Sequence, residues 1–323
     1  MRRVPIWTTL LPLVAGLSVY WWYWDQQHDA FRAGLERVLD RGQAIEVGGF
    51  PYRLEATLGP VTLRREGQDW FIQGSAAEAI VNRQPWRPDP TIIRLRHPQF
   101  QLAVPSVTGA RLDVEGAASE TSLRWNGDRI ARLSTAVQDA GVWFALLPAP
   151  ATAGQFELHF RETPATLDPA SRAPTYPEQA QLVLAGEALR FGNGDPLTFA
   201  AEAGLTAAMP VRSLAAWQTG GTIELKRLTL SDKTGEVLSM TATLVPGSDG
   251  RPRVAGTVET VCPVAVLAAF RGRQPTTEER RTRKPVRLAF EGMPGDFDLI
   301  EPAAATAKRP VRGQEPPCPL IRR

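Results

Sequence analysis

Histidine, lysine and cysteine, residue types prominent in catalytic and metal sites, are scarce in this chain. Its 323 residues include three histidines, four lysines and two cysteines. His28, His97 and His159 fall in separate segments, and neither His-Glu-x-x-His nor Cys-x-x-Cys occurs, so the recognisable metal motifs are excluded. No phosphate-binding loop with its Gly-Lys pair is present. The stretch Phe191-Gly192-Asn193-Gly194-Asp195-Pro196 reads as a turn, because no strand–glycine–helix order surrounds it. Gly247-Ser248-Asp249-Gly250 lacks the spacing of a serine nucleophile elbow. Carboxylates such as Glu157, Asp296 and Asp298 cannot be matched along the chain into an acid and a base. The expectation is a protein with neither catalysis nor a cofactor.

Charge is nearly balanced, at +3 overall. The lysines are Lys226, Lys233, Lys284 and Lys308, so almost all positive charge is arginine. No ribonucleoprotein or zinc-finger pattern accompanies it, and nucleic acid is not an expected partner.

A long uncharged run stands near the start. Val4 to Trp24 carries no charged side chain. Helical rise makes such a run roughly 30 Å long, the thickness of a bilayer core. Arg2 and Arg3 precede it, and Tyr20-Trp21-Trp22-Tyr23-Trp24 closes it as an aromatic belt. Residues 1–24 are therefore expected to be a transmembrane signal-anchor in the inner membrane. The basic residues ahead of the run place the N-terminus in the cytoplasm and the bulk in the periplasm. The alternative is a signal peptide cleaved near Val14-Ala15-Gly16, which would leave five aromatics at the new start.

Residues 25–43 read as an amphipathic stalk helix, with Phe31, Leu35, Val38 and Leu39 on one face and Gly42 as its stop. From Tyr52 onward the period changes to two. Alternating runs such as TIIRLRHPQFQLAV, GQFELHFRE, QAQLVLAG and EVLSMTATLV are separated by turn signals at Asn126-Gly127, Asp232 to Gly235 and Pro246 to Gly250. The fold class expected is mainly β (α+β). It comprises antiparallel, meandering, curved sheet over residues 44–300, with short helices at Val211 to Gln218 and Pro263 to Phe270. Arg271 to Pro285 reads as a solvated charged loop, or else as a docking site for anionic headgroups. Residues 301–323, rich in Pro, Ala and Arg, read as an unstructured tail unless Cys318 pins it. An exported domain meets an oxidising compartment, where Cys262 and Cys318 pair or remain two free thiols.

The segment Gly49-Phe50-Pro51-Tyr52-Arg53 reads as a strand-entry corner. Glycine permits the bend, and proline fixes φ and extends the residue before it. Phe50 and Tyr52 are expected to bury against Leu35 and Val38 or Leu39 of the stalk, with Gly48-Gly49 joining the stalk to the first strand. The functional alternative is a ligand or partner contact by Arg53.

These residues resemble those of a known family, domain of unknown function 2125, a group of exported alphaproteobacterial proteins. The resemblance covers nearly the whole chain. It is carried by the N-terminal anchor, by Gly49-Phe50-Pro51-Tyr52-Arg53, by His159 within Leu158-His159-Phe160-Arg161, and by Trp217, Gly220 and Gly221 ahead of Leu225. The C-terminal RGQEPPCPLIRR departs from the family's apolar, Pro-rich end. The strand–turn rhythm is in turn similar to AsmA-like envelope proteins, whose sheets enclose apolar grooves that handle lipid. That analogy implies an envelope protein that binds or transfers an apolar ligand such as lipid along a sheet groove. The alternative is an envelope scaffold whose core is filled by its own side chains. The two readings differ in whether the apolar strand face stays open.

Overall fold

The computed structural model describes residues 7–39, 43–67, 70–87, 89–104, 111–127, 129–144, 151–163, 178–207, 214–249, 251–270, 278–293, 296–300 and 315–321. Helix α1 (Trp7–Val38) runs without interruption through the aromatic belt and the stalk, with Pro12 inside it. No helix among the described residues is long and apolar enough to cross a membrane.

Short strands follow, β1 (Glu46–Gly48) alone and then four pairs: β2 (Leu54–Leu58) and β3 (Val61–Glu66), β4 (Phe71–Ala76) and β5 (Glu78–Arg83), β6 (Thr91–Arg96) and β7 (Gln99–Ala103), β8 (Arg111–Glu115) and β9 (Ala118–Asn126). Longer ones come next: β10 (Arg129–Phe144), β11 (Ala151–Glu162), β12 (Glu178–Phe191) and β13 (Leu197–Thr206). Helix α2 (Leu214–Gln218) leads to β14 (Thr222–Asp232), β15 (Gly235–Pro246) and β16 (Pro252–Thr260). Helix α3 (Pro263–Phe270) precedes β17 (Val286–Met293) and β18 (Asp296–Ile300). Among the described residues the sheet holds 18 strands and every ladder is antiparallel, as the alternation predicts. The remaining residues of the short helix expected from Val211, like the tail from 301 to 314, lie outside the described residues.

The short pairs are long strands broken by a crease. β2 and β3 pair with β5 and β4, and β6 and β7 pair with β9 and β8. The unbroken β10 then receives β9 on its first part and β8 on its last. TIIRLRHPQFQLAV is thus two strands, parted at His97-Pro98, because proline has no N–H to give to a ladder. His97 (φ 49°), Asp139 (φ 48°) and Ala188 (φ 53°) take left-handed backbone along this line. Hydrogen bonds from Ala77 N to Arg96 O, His97 N to Ala117 O and Ala117 N to Gln138 O carry the pairing across it.

Register makes the sheet two-faced. One cross-strand row runs Ala56–Val81–Ile93, continues through Thr121 and Thr135, then Leu158–Leu184–Ala201–Leu228, and ends Met240–Val258–Leu288. The two threonines hydrogen-bond to each other at 2.7 Å, so the one polar pair in the row is internally satisfied. The row one residue away is mostly polar: Glu55, Asn82, Ser122, Ser134, His159, Glu202 and Arg227, with Ile92 and Val183 among them. A period of two places these sets on opposite faces.

Helices cover the two flanks of the apolar face. Phe31, Trp24, Leu35 and Leu39 of the first helical segment and its exit pack on Leu54, Ala56, Leu58, Ala79 and Val81. Val38 faces solvent instead of joining that stripe. Val266 and Leu267 of α3 pack on Leu238, Val258, Leu288 and Phe290. Fully buried leucines such as Leu54 and Leu58 each contribute about 1.5–3 kcal/mol by leaving water.

Residues 271–277 of the charged loop lie outside the described residues, and the part from 278 to 285 is not simply solvated. Arg281 is buried against Asp232 at 2.6 Å. The Glu279 carboxylate accepts hydrogen bonds from Val264 N and Ala265 N at the start of α3. Burial pushes the Glu279 pKa up, and those two backbone donors oppose the rise. The final segment is pinned as well. Cys262 and Cys318 form a disulfide with Cα atoms 5.8 Å apart. Cys318 N donates to Glu279 O and Arg281 N to Pro316 O, while Leu320 and Asp195 exchange hydrogen bonds at 2.8 and 2.9 Å. The segment 315–321 therefore straps the α3 end of the sheet to the turn between β12 and β13.

Candidate functional site

Between the flank under α1 and the flank under α3 lies a strip of the apolar face built by β9 to β14. Leu133, Leu158, Phe160, Leu182, Leu184 and Leu228 form its floor, each half-buried. Six strands spaced about 4.8 Å make the strip roughly 25 Å wide. Leu158 and Leu184 pack toward the cluster of Val137, Ala140, Ala153, Phe156 and Leu189, which seals the floor at the crease. The strand alternation predicts this face, but not that helices would cover its flanks.

The opposite face is polar and holds two open concavities. One, of about 430 Å³, is lined by Gln73, Gln101, Asp113, Glu115 and Trp143; the other, of about 420 Å³, by Thr243, Arg253, Glu291 and Asp298. His159 lies on this face, 3.2 Å from Glu157, with Gln155 donating to the same carboxylate. Glu157 on β11 and Asp298 on β18 stand seven strands apart, so the structure does not bring them together.

The strand-entry corner sits elsewhere than expected. β1 precedes it and pairs with β2, so Gly49 turns the chain between two strands rather than from helix to strand. Gly49 has φ +98°, and a Cβ there would lie 2.6 Å from Arg53 O. Phe50 and Tyr52 are exposed, not buried against Leu35 and Leu39. Phe50 instead meets the aromatic belt, edge-on to Trp24 with centroids 5.4 Å apart and tilted to Tyr20 at 6.2 Å. Pro51, joined to Phe50 by a cis peptide, lies in the turn ahead of β2, and its carbonyl accepts from Tyr20 Oη. Trp24 Nε1 donates to Arg53 O at 3.4 Å, and the Arg53 side chain pairs with Glu55.

Trp217, Gly220 and Gly221 form a second structural corner. Trp217 is buried, and a Cβ on Gly221 would lie 2.3 Å from its ring. Gly221 N donates to Trp217 O at 2.7 Å, closing α2. Cys262, Glu279 and Cys318 bring ligand-capable atoms within 4.8 Å, but the two sulfurs are bonded to each other. The two cysteines meet across 56 residues, whereas Gly49 to Arg53, His159 beside Glu157, and Trp217 with Gly221 occupy three separate places.

A family profile described as an uncharacterised protein conserved in bacteria matches residues 37–299. No curated protein and no solved structure matches the chain.

Proposed function

The chain belongs to the domain of unknown function 2125 family, and we propose that it is a non-catalytic envelope protein that binds or passes an apolar ligand, such as a lipid chain, along its sheet. The observation that carries this reading is the strip of half-buried Leu133, Leu158, Phe160, Leu182, Leu184 and Leu228 between the two helix-covered flanks. An apolar floor of that width offers an acyl chain the burial that water denies it. In this reading α1, together with Val4 to Ile6 ahead of it, anchors the chain in the inner membrane. The sheet then stands in the periplasm, where an oxidising compartment suits the Cys262–Cys318 bond.

Native mass spectrometry of the detergent-extracted full chain tests the function. Co-purified lipid is expected with the unaltered protein and lost in Leu158→Asp and Leu184→Asp. Lipid-free protein whose Leu158→Asp variant melts far lower would favour the alternative, a scaffold that needs this face for its own packing.

A further inference from the structure

One rim of the sheet gathers turns with exposed aromatic residues. The β1–β2 turn carries Phe50 (50% exposed) and Tyr52 (74%), the β5–β6 turn carries Trp86 (51%), and β9 ends in Trp125 (45%). Register puts all of them at the same end, since Leu54 pairs with Arg83 and Thr91 with Leu123. The strap, the disulfide and the β14–β15 turn lie at the other end. The aromatic rim is fastened to the aromatic belt of α1. Tyr20 donates to Pro51 O, Tyr23 to Pro85 O at 2.9 Å, and Trp24 to Arg53 O. Belt and rim therefore form one continuous aromatic level.

Arginine shares this level. Arg53, Arg87, Arg124 and Arg129 are all exposed there. Arg53 and Arg129 pair with Glu55 and Glu162, while Arg87 and Arg124 have no side-chain partner among the described residues. Amphipathic rings beside exposed arginines match the headgroup region of a membrane holding anionic lipid. Trp125, and Ile130 paired with it, also sit at the rim end of the apolar face.

We propose that this rim seats on the phospholipid surface, so that the apolar strip opens directly onto the bilayer. The proposal rests on the anchored reading of α1, and its test separates the two. Full-length chains bearing one added cysteine would be labelled with a polarity-sensitive fluorophore. The native disulfide keeps Cys262 and Cys318 from the label. The positions are Trp86→Cys and Trp125→Cys at the rim, Lys233→Cys at the far end, and Leu13→Cys in α1. Each is reconstituted in vesicles of phosphatidylethanolamine and phosphatidylglycerol containing spin-labelled lipid.

Labels at Trp86, Trp125 and Leu13 are expected to shift to the blue and lose most of their emission to the quencher, while the label at Lys233 keeps its own. Quenching at Leu13 alone would overturn the rim docking and leave the anchor standing. Quenching at the rim without Leu13 would remove the anchor and keep the docking. Equal quenching at Lys233 would mark indiscriminate adsorption and overturn the proposal.

Discussion

Arg281 and Asp232 form an ion pair at 2.6 Å, with both side chains almost wholly removed from water. Asp232 is held below the usual carboxylate range: burial opposes its ionisation, and hydrogen bonds from Thr234 Oγ1, Thr234 N and Arg281 outweigh it. Removing one member of a buried pair strands the other charge. Asp232→Ala is therefore expected to lower unfolding free energy by about 3–5 kcal/mol in denaturant titrations at neutral pH. A depressed folded-state pKa gives stability that is present above the ordinary value of about 4 and lost as pH falls through the folded value. The gap between wild type and Asp232→Asn should narrow on acidification, and a gap that widened would refute the pairing.

The strap should depend on its disulfide. Cys262 and Cys318 close a separation of 56 residues, worth about 4 kcal/mol in the chain-entropy treatment. Cys318→Ser should lower the melting temperature and expose the segment near Leu320 to protease. Non-reducing peptide mapping of the native chain should return one linked pair.

Trp217 and Gly221 make a matched test of the second corner. Gly221→Ala places a methyl into the Trp217 ring and should cost about 1–3 kcal/mol. Trp217→Phe should cost little beyond lost volume, since Trp217 Nε1 is buried without a hydrogen-bond partner among the described residues. Thermal unfolding of the two variants decides whether close packing holds this corner.

Leu54 and Phe50, four positions apart, should behave very differently. Leu54→Ala removes a fully buried side chain under α1 and should cost about 2–5 kcal/mol. Phe50→Ala should cost far less, because half of that ring faces solvent. Equal losses in urea titrations would show that Phe50 is part of the core after all.

The two-faced sheet was legible from the chain because side-chain alternation is local. Leu123 and Leu133, or Leu228 and Met240, recur at every second position of their runs, and the turns at Gly127 and Gly235 bring those runs together as antiparallel neighbours. The short helix starting at Pro263 was legible for the same reason, since proline suits a first turn. The crease was not, because a break at His97-Pro98 becomes a fold line only when Ala117 and Gln138 line up beside it.

The sequence by itself determined the period of each segment, hence the fold class and the amphipathic face, because both follow from neighbours a few residues apart. Only the tertiary structure decided where Phe50 and Tyr52 go, which part of the apolar face stays between helices, and what the last residues hold. Those outcomes rest on contacts between distant positions. Tyr20 reaches Pro51 across 31 residues and Leu320 reaches Asp195 across 125, and no local pattern encodes which partner a side chain will find at such range.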